Sequence, residues 1–417
     1  MELTAEDRSQ LAGDQGEPVA LAMRVLTRLG DVYGAERFIP ITRAHVVGSS
    51  YQICGEAGIA IYERLVAQGA RVRVTTTLDP GSIDFDHWRQ FAMPEHVAQR
   101  QVRLKELLEA MGVVPTWNCT PYYFANVPVF NERVAWSESS AVVFVNSVIG
   151  ARTNRLAAYV DLCAALTGKM PDFGLYRDEA RRGTHLFLLE PGLEERFGMQ
   201  LYPTLGYLVG QRVGDGVPVI EGLERTPSLD AFKLLGAAMA STGSVAMYHV
   251  VGHTPEAPTR EAALGGGTPR ATWRIDAEEI ARAVEERIST APPGAVDLVA
   301  LGCPHASLDQ LATYARLIAG RRVADSTRLW ISTSFMVAEL AERAGYLPVL
   351  RQAGAEIIVG TCVVNAPLAG WGFRVMATDA GKFAYYAPAN LGVKILFLTT
   401  EECIEAAVTG QGRRRPA

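Results

Sequence analysis

Residues 300–311 read ALGCPHASLDQL. An apolar run, DLVALG over 297–302, ends abruptly at Gly302 and Cys303. Pro304 and His305 follow, and then the pattern of a helix over 307–319 begins. Free cysteines usually hide among apolar neighbours. A thiol at the mouth of a strand, on a turn, asks for another explanation.

Working outward, short apolar runs alternate with amphipathic helical patterns, which predicts α/β layers with largely parallel sheets. Strands are expected at 43–48, 71–77, 113–119, 244–251, 297–302, 328–333 and 356–362. Helices are expected at 18–29, 57–69, 95–111, 138–149, 156–167, 228–240, 276–288, 307–319 and 335–345. On this reading three cysteines share one placement. Cys119 ends VVPTWNC, Cys303 ends LVALGC and Cys362 ends IIVGTC, each at the carboxyl end of a strand. In open α/β sheets ligands gather at that edge. Three remote thiols brought there would suit zinc, copper(I) or an iron–sulfur cluster. The plainer reading of each cysteine alone is a buried, inert side chain. Cys163 and Cys403 fall inside helical patterns and read as small buried hydrophobes. Cys54 has no clear place.

Composition bounds the alternatives. A chain of 417 residues is too long for one core. The Gly-, Pro- and Thr-rich stretch 252–273 and a weaker break near 190–200 suggest regions 1–190, 191–270 and 271–417. A net charge of −5 argues against a nucleic-acid partner. No apolar run is long enough to span a bilayer, and MELTAEDRSQL has no signal-peptide core, so a cytoplasmic protein is expected. There is no C-x-x-C zinc or disulfide pattern. No G-x-G-x-x-G follows a strand, which leaves a Rossmann-type oxidoreductase without its fingerprint. The basic tail over 412–417 reads as a loose end.

The stretches AHVVGSSYQICGEAG, VTTTLDPGSIDFDHW, NCTPYYFANVP, WSESSAVVFVNSVIGARTNR, STGSVAMYHVVGHTPEA, LGCPH and TDAGKFAYYAP together resemble the large catalytic region of the aconitase X family, from about residue 18 to 408. The resemblance implies an aconitase-like α/β fold and a hydro-lyase (dehydratase) activity. It also implies an iron–sulfur cluster held by Cys119, Cys303 and Cys362. A four-iron cluster is favoured and a two-iron cluster is the alternative. Three thiolates on four irons leave one iron open to act as a Lewis acid.

Other site residues follow from the same match. Gly48, Ser49 and Ser50 would line the substrate pocket, where backbone N–H groups and hydroxyls can cradle an anion. An ordinary strand-to-helix turn is the plain alternative. Asp79 stands where the family usually has Asn, and either binds a polar substrate group or caps a turn. Glu138 and Ser139 match substrate-site positions, although residues at a helix start are usually caps. Arg152, with Arg155 nearby, is either a guanidinium fork for a carboxylate or a helix C-terminal charge. Lys382 matches a substrate-contacting lysine. Ala380 and Tyr385 replace the usual Ser and frequent His, which points to an altered pocket. His305 is either a donor to cluster sulfur or a packed helix-start histidine. His45 and His249 read as satisfied core histidines.

The family also uses a small β-rich swivelling domain that carries a catalytic serine, fused in some members and separate in others. None is recognisable here, so a separate small subunit is the expected partner. The expected substrate is a small hydroxy acid. Bacterial members typically dehydrate cis-3-hydroxy-L-proline to Δ1-pyrroline-2-carboxylate, and archaeal members dehydrate (R)-mevalonate 5-phosphate. The Arg- and Ala-rich composition favours the first. A reading from another class is a non-catalytic metal-binding subunit with the three cysteines on structural zinc.

Overall fold

The computed structural model describes residues 1–414. Three parallel sheets organise it, one in each third of the chain. The first is three-stranded, with Arg43–Val46 between Thr75–Leu78 and Val134–Trp136. The second runs His249–Val250, Pro218–Glu221, His185–Leu189, Ala271–Ile275. The third runs Glu356–Val359, Arg328–Thr333, Leu298–Ala306, Val375–Thr378, Lys394–Phe397. The second sheet starts before residue 190 and continues past 270, because Ala271–Ile275 pairs along His185–Leu189.

The α/β expectation holds, with instructive differences in detail. Leu298–Ala306 is buried at every position, as a central strand covered on both faces must be. It extends beyond Gly302, so Cys303 and His305 lie in an irregular part of the strand rather than past its end. The register against Arg328–Thr333 shifts between Leu301 and Ala306. Gly302 makes this possible: its φ is +82°, and a Cβ there would sit 2.1 Å from the Ser332 carbonyl oxygen. The expected strand at 113–119 does not form. Val114 makes a lone bridge to Thr77, Pro115 lacks the N–H that would continue a ladder, and Trp117 takes φ +44°. Cys119 therefore sits on a loop. The strand expected at 244–251 shrinks to His249–Val250, and Thr75–Leu78 begins four residues later than expected. Strands His185–Leu189, Pro218–Glu221, Val375–Thr378 and Lys394–Phe397 lie outside the expected set, as do helices Leu201–Val213 and Gly381–Leu391, while the helical pattern around Cys403 is helix Thr400–Thr409.

The interior is organised around helix Leu229–Thr242. Ser228 caps it, and it is buried over Ala231–Ser241. A helix apolar on all sides belongs in a core. It packs against Leu201–Val213, Ser139–Phe144 and Gly381–Leu391. Gly206 allows the closest approach, since a Cβ there would meet the Leu235 carbonyl at 2.2 Å. At the basic end, Gly412 pairs with Gly294 and Arg414 donates to the Val284 carbonyl at 3.2 Å. Residues 415–417 of the tail lie outside the described residues.

Gly302→Ala adds a side chain in a left-handed conformation against a backbone carbonyl. It should cost about 3 kcal/mol, read as a clear fall in the midpoint of thermal unfolding. An unchanged midpoint would mean the strand relaxes freely at this point.

Candidate active site

The carboxyl ends of the first and third sheets face one another across a cavity of about 360 Å³. Asp79 follows strand Thr75–Leu78 directly, and Glu138 follows Val134–Trp136 by two residues. Cys362 lies three residues beyond Glu356–Val359, and Lys382 four beyond Val375–Thr378. Cys303 enters from the irregular strand and Cys119 from its loop. All six line the cavity, together with Ser139 and Arg155. This is the crevice at strand ends where α/β sheets hold ligands.

Glu138 caps helix Ser139–Phe144: its Oε2 accepts from the Ala141 N–H and the Ser140 hydroxyl, both at 2.6 Å. Its Oε1 pairs with Lys382 Nζ. Both side chains are buried. Burial opposes the Glu138 charge, but Lys382 together with the Ser140 and Ala141 donors outweighs it and holds the carboxyl below its usual range. Burial likewise opposes the charge on Lys382, and Glu138 keeps the ammonium charged by pushing its pKa up overall. The cavity thus contains a permanent ammonium–carboxylate pair.

The three thiols are buried and, by themselves, protonated. Burial raises Cys119 and Cys303 far up, and Cys362 to about 11. The N–H groups of Asn365 and Val364 work in the opposite direction on Cys362. The backbone N–H of His305 donates to Cys119 Sγ at 3.3 Å. The His305 ring reaches the Thr361 carbonyl with Nε2 at 3.0 Å and Asn118 Oδ1 with Nδ1 at 3.3 Å. His305 therefore ties together the segments of all three cysteines. Its backbone, not its ring, meets sulfur. Burial lowers its ring pKa to about 4, so the imidazole is neutral.

The remaining expected residues divide. Gly48, Ser49 and Ser50 do not line the cavity; Val47 and Ile53 flank it instead. Ser49 Oγ donates to the Asp79 carbonyl at 2.9 Å, Ser50 Oγ meets Ser82 Oγ at 2.8 Å, and the Gly48 carbonyl accepts from Tyr62. Their polar groups hold the wall behind Asp79. Arg152 lies away from the cavity, where it donates to the Tyr176 carbonyl at 2.8 Å and pairs with Asp178. Arg155, which shares its sequence neighbourhood, lines the cavity. Tyr386 and Asn365 also line it; their only signal was proximity to Lys382 and Cys362. His45 is only half satisfied: Nδ1 meets Thr77 Oγ1 at 2.7 Å, while Nε2 lacks a hydrogen-bond partner. His249 is similar, with Nε2 on the Arg181 carbonyl at 2.8 Å and Nδ1 unpartnered. Cys163 and Cys403 lie in helices Val160–Thr167 and Thr400–Thr409, away from the cavity, and Cys54 is half-buried in Tyr51–Ala67.

Three family models together cover most of the chain. The aconitase X first domain matches residues 1–179, the second 193–285 and the third 296–409. The chain belongs to the aconitase X family. It is 38% identical to the crystal structure of Thermococcus kodakaraensis aconitase X in its holo-form, with a TM-score of 0.88 over 98% of this chain and 100% of that one. A cis-3-hydroxy-L-proline dehydratase of Pseudomonas aeruginosa is 40% identical over 98% of this chain and 70% of its own length. A phosphomevalonate dehydratase large subunit of Methanothermobacter thermautotrophicus is 42% identical over 92% of this chain and 93% of its own. These relatives are dehydratases, that is, hydro-lyases.

Lys382→Met should leave Glu138 buried without its counter-charge and destabilise the chain by about 3–5 kcal/mol. Adding Glu138→Gln should recover much of that loss, because the second variant removes the stranded charge. Unfolding of the two variants by denaturant measures the difference, and equal stability of both would show the pair is not coupled.

Proposed function

We propose that this chain is the large, cluster-bearing component of an iron–sulfur hydro-lyase that dehydrates cis-3-hydroxy-L-proline to Δ1-pyrroline-2-carboxylate. The observation that carries the reading is the convergence of three buried thiols and the Glu138–Lys382 pair on one cavity. Cys119, Cys303 and Cys362 would hold the cluster. Amide donors near sulfur, such as the His305 N–H, favour thiolate over thiol, and metal binding would displace the thiol protons. Among the described residues, no three His, Cys, Asp or Glu side chains stand close enough to grip a single ion. Thiols spread around a cavity suit a polynuclear group, four-iron or two-iron, better than a structural zinc. When bound, the cluster supplies Lewis acidity toward the departing hydroxyl.

The chain's own groups supply the rest. Lys382 presents a fixed positive charge where the substrate carboxylate gains enolate-like charge as the neighbouring proton leaves. Glu138 keeps that ammonium oriented, and its own proton affinity is held low, so it stays ionised. Ser139, Asp79 and Arg155 line the space left for the ring. The general base is assigned to a serine of a small swivelling subunit. The name "large subunit" carried by several relatives supports such a partner. Six free cysteines suit the reducing cytoplasm, and no described helix is long and apolar enough to cross a membrane. A second reading, dehydration of (R)-mevalonate 5-phosphate, draws support from the comparable identity of the phosphomevalonate dehydratase large subunits.

Serine at Cys119, Cys303 or Cys362 should abolish iron binding, measured on anaerobically prepared protein. Cys163→Ser and Cys403→Ser should keep full iron, at a stability cost of about 1–3 kcal/mol for a buried hydroxyl. Full iron with any of the first three replaced would end the ligand assignment, and zinc without sulfide would favour the structural alternative.

The iron-loaded chain alone should turn over poorly, and the small partner should restore dehydration. Full activity of the isolated chain would remove the partner from the scheme.

A further inference from the structure

The cavity contains one carboxylate that nothing in the scheme above uses. Asp79 lines it and is 5% exposed. Its Oδ1 has no hydrogen-bond partner, and neither does His45 Nε2, which stands 3.7 Å from it. These are buried atoms, and such groups are normally satisfied. His45 is held from behind. Asn126 Nδ2 donates to Thr77 Oγ1 at 2.8 Å, which leaves the Thr77 hydroxyl proton for His45 Nδ1. Nε2 then carries a proton and faces Asp79.

Charge sharpens the case. Among the ionisable groups lining the cavity besides the thiols, Glu138 and Lys382 cancel one another. Arg155 is exposed at the margin, with a weak bond to the Gly243 carbonyl at 3.4 Å. Among the groups that line the cavity, Asp79 therefore has no cation of its own. Burial pushes its carboxyl up to about 6, with His45 acting to lower it and Glu138 to raise it further. A carboxylate short of counter-charge is a ready seat for a cation.

We propose that Asp79, positioned by His45, receives the cationic ring nitrogen of the substrate and so selects a zwitterionic β-hydroxy amino acid over a phosphorylated hydroxy acid. The inference rests on the hydroxyproline reading and adds the residues that set its selectivity. The carboxylate of such a substrate meets Lys382, and its ammonium meets Asp79. A zwitterion adds no net charge to the cavity, and the Lys382 ammonium is shared between Glu138 and the substrate carboxylate. A phosphate carries about −1.5 to −2 charge near neutral pH and would find only Arg155 unpaired. The ammonium also has a chemical use. Kept charged by Asp79, it acidifies the adjacent Cα–H. Loss of that proton and of the 3-hydroxyl, together one water, leaves the enamine, which tautomerises to the imine.

The test uses the iron-loaded chain with its small partner. Asp79→Asn keeps shape and removes charge. It should raise KM for cis-3-hydroxy-L-proline by about 10- to 100-fold, the size of a lost charge-assisted contact. The oxygen isostere cis-3-hydroxytetrahydrofuran-2-carboxylate, which has no ammonium, serves as a competitive inhibitor. Its Ki should change by less than a few-fold. His45→Gln should shift KM the same way by a smaller factor, and the double variant should be no worse than Asp79→Asn alone. An unchanged KM in Asp79→Asn overturns the ammonium seat and leaves the dehydratase reading standing. Parallel loss for both ligands also overturns it, because general damage does not distinguish them. A wild-type enzyme that ignores hydroxyproline but dehydrates mevalonate 5-phosphate overturns the substrate reading and the seat together.

Discussion

Glu138 and Lys382 are 244 positions apart in sequence and form one buried ion pair. Two charges taken out of water are tolerated only when their geometry and hydrogen bonds are good. Here Glu138 is satisfied on three sides, by Lys382, the Ser140 hydroxyl and the Ala141 N–H. For the pair to close, the carboxyl ends of the first and third sheets must face one another at short range. The helix Leu229–Thr242 sets that range, because it packs on both the helix that Glu138 caps and the helix that carries Lys382. Its own buried cation, Lys233, bonds the His305 carbonyl at 3.2 Å and pairs with Asp230 at 2.8 Å. One interior helix from the middle of the chain thus touches the helix capped by Glu138, the helix of Lys382 and the strand of Cys303.

The thiols pose a different constraint. Cys119 sits on a loop and is not itself part of a strand. The Asn118 N–H on the Leu78 carbonyl, the His305 N–H on Cys119 Sγ and the His305 ring on the Thr361 carbonyl restrain it. The neutral ring has one N–H, which Nε2 gives to the Thr361 carbonyl, so Nδ1 only packs against Asn118. A ligand set assembled before metal arrives loses less entropy on binding than one that must be collected from flexible loops.

Much of this was legible in the sequence, and the reasons for the rest are local. Parallel α/β layering follows from apolar runs separated by helical patterns, and the three cysteines stand out because each ends an extended-looking stretch of sequence. Yet only Cys362 clearly trails a regular strand. VVPTWNC looks extended by composition, but Pro115 and the left-handed Trp117 break the ladder after one bridge. LVALGC looked like a strand that stops; a glycine bulge lets it continue. Strands such as Val375–Thr378 are four residues long and lack the length that periodicity needs. Arg152 and Arg155 are indistinguishable in a motif three residues apart, and only the turn of the backbone after Gly150 decides which one reaches the cavity.

The Gly48–Ser50 turn illustrates how a site motif can act at one remove. Its residue types suit an anion cradle, but the hydroxyls are spent within the protein. Ser49 reaches the Asp79 carbonyl, and Gln101 bridges the Ser49 carbonyl to the N–H groups of Tyr51 and Ser82. Asp79 also bonds the Val46 carbonyl through its own N–H. Its backbone is consequently fixed from two directions before its side chain is considered. A carboxylate on so rigid a turn cannot swing to find a partner, so the partner must come to it. The wall built by Ser49, Gln101 and His45 makes the position of one negative charge a property of the fold, and the pocket's preference among ligands follows from where that charge is held.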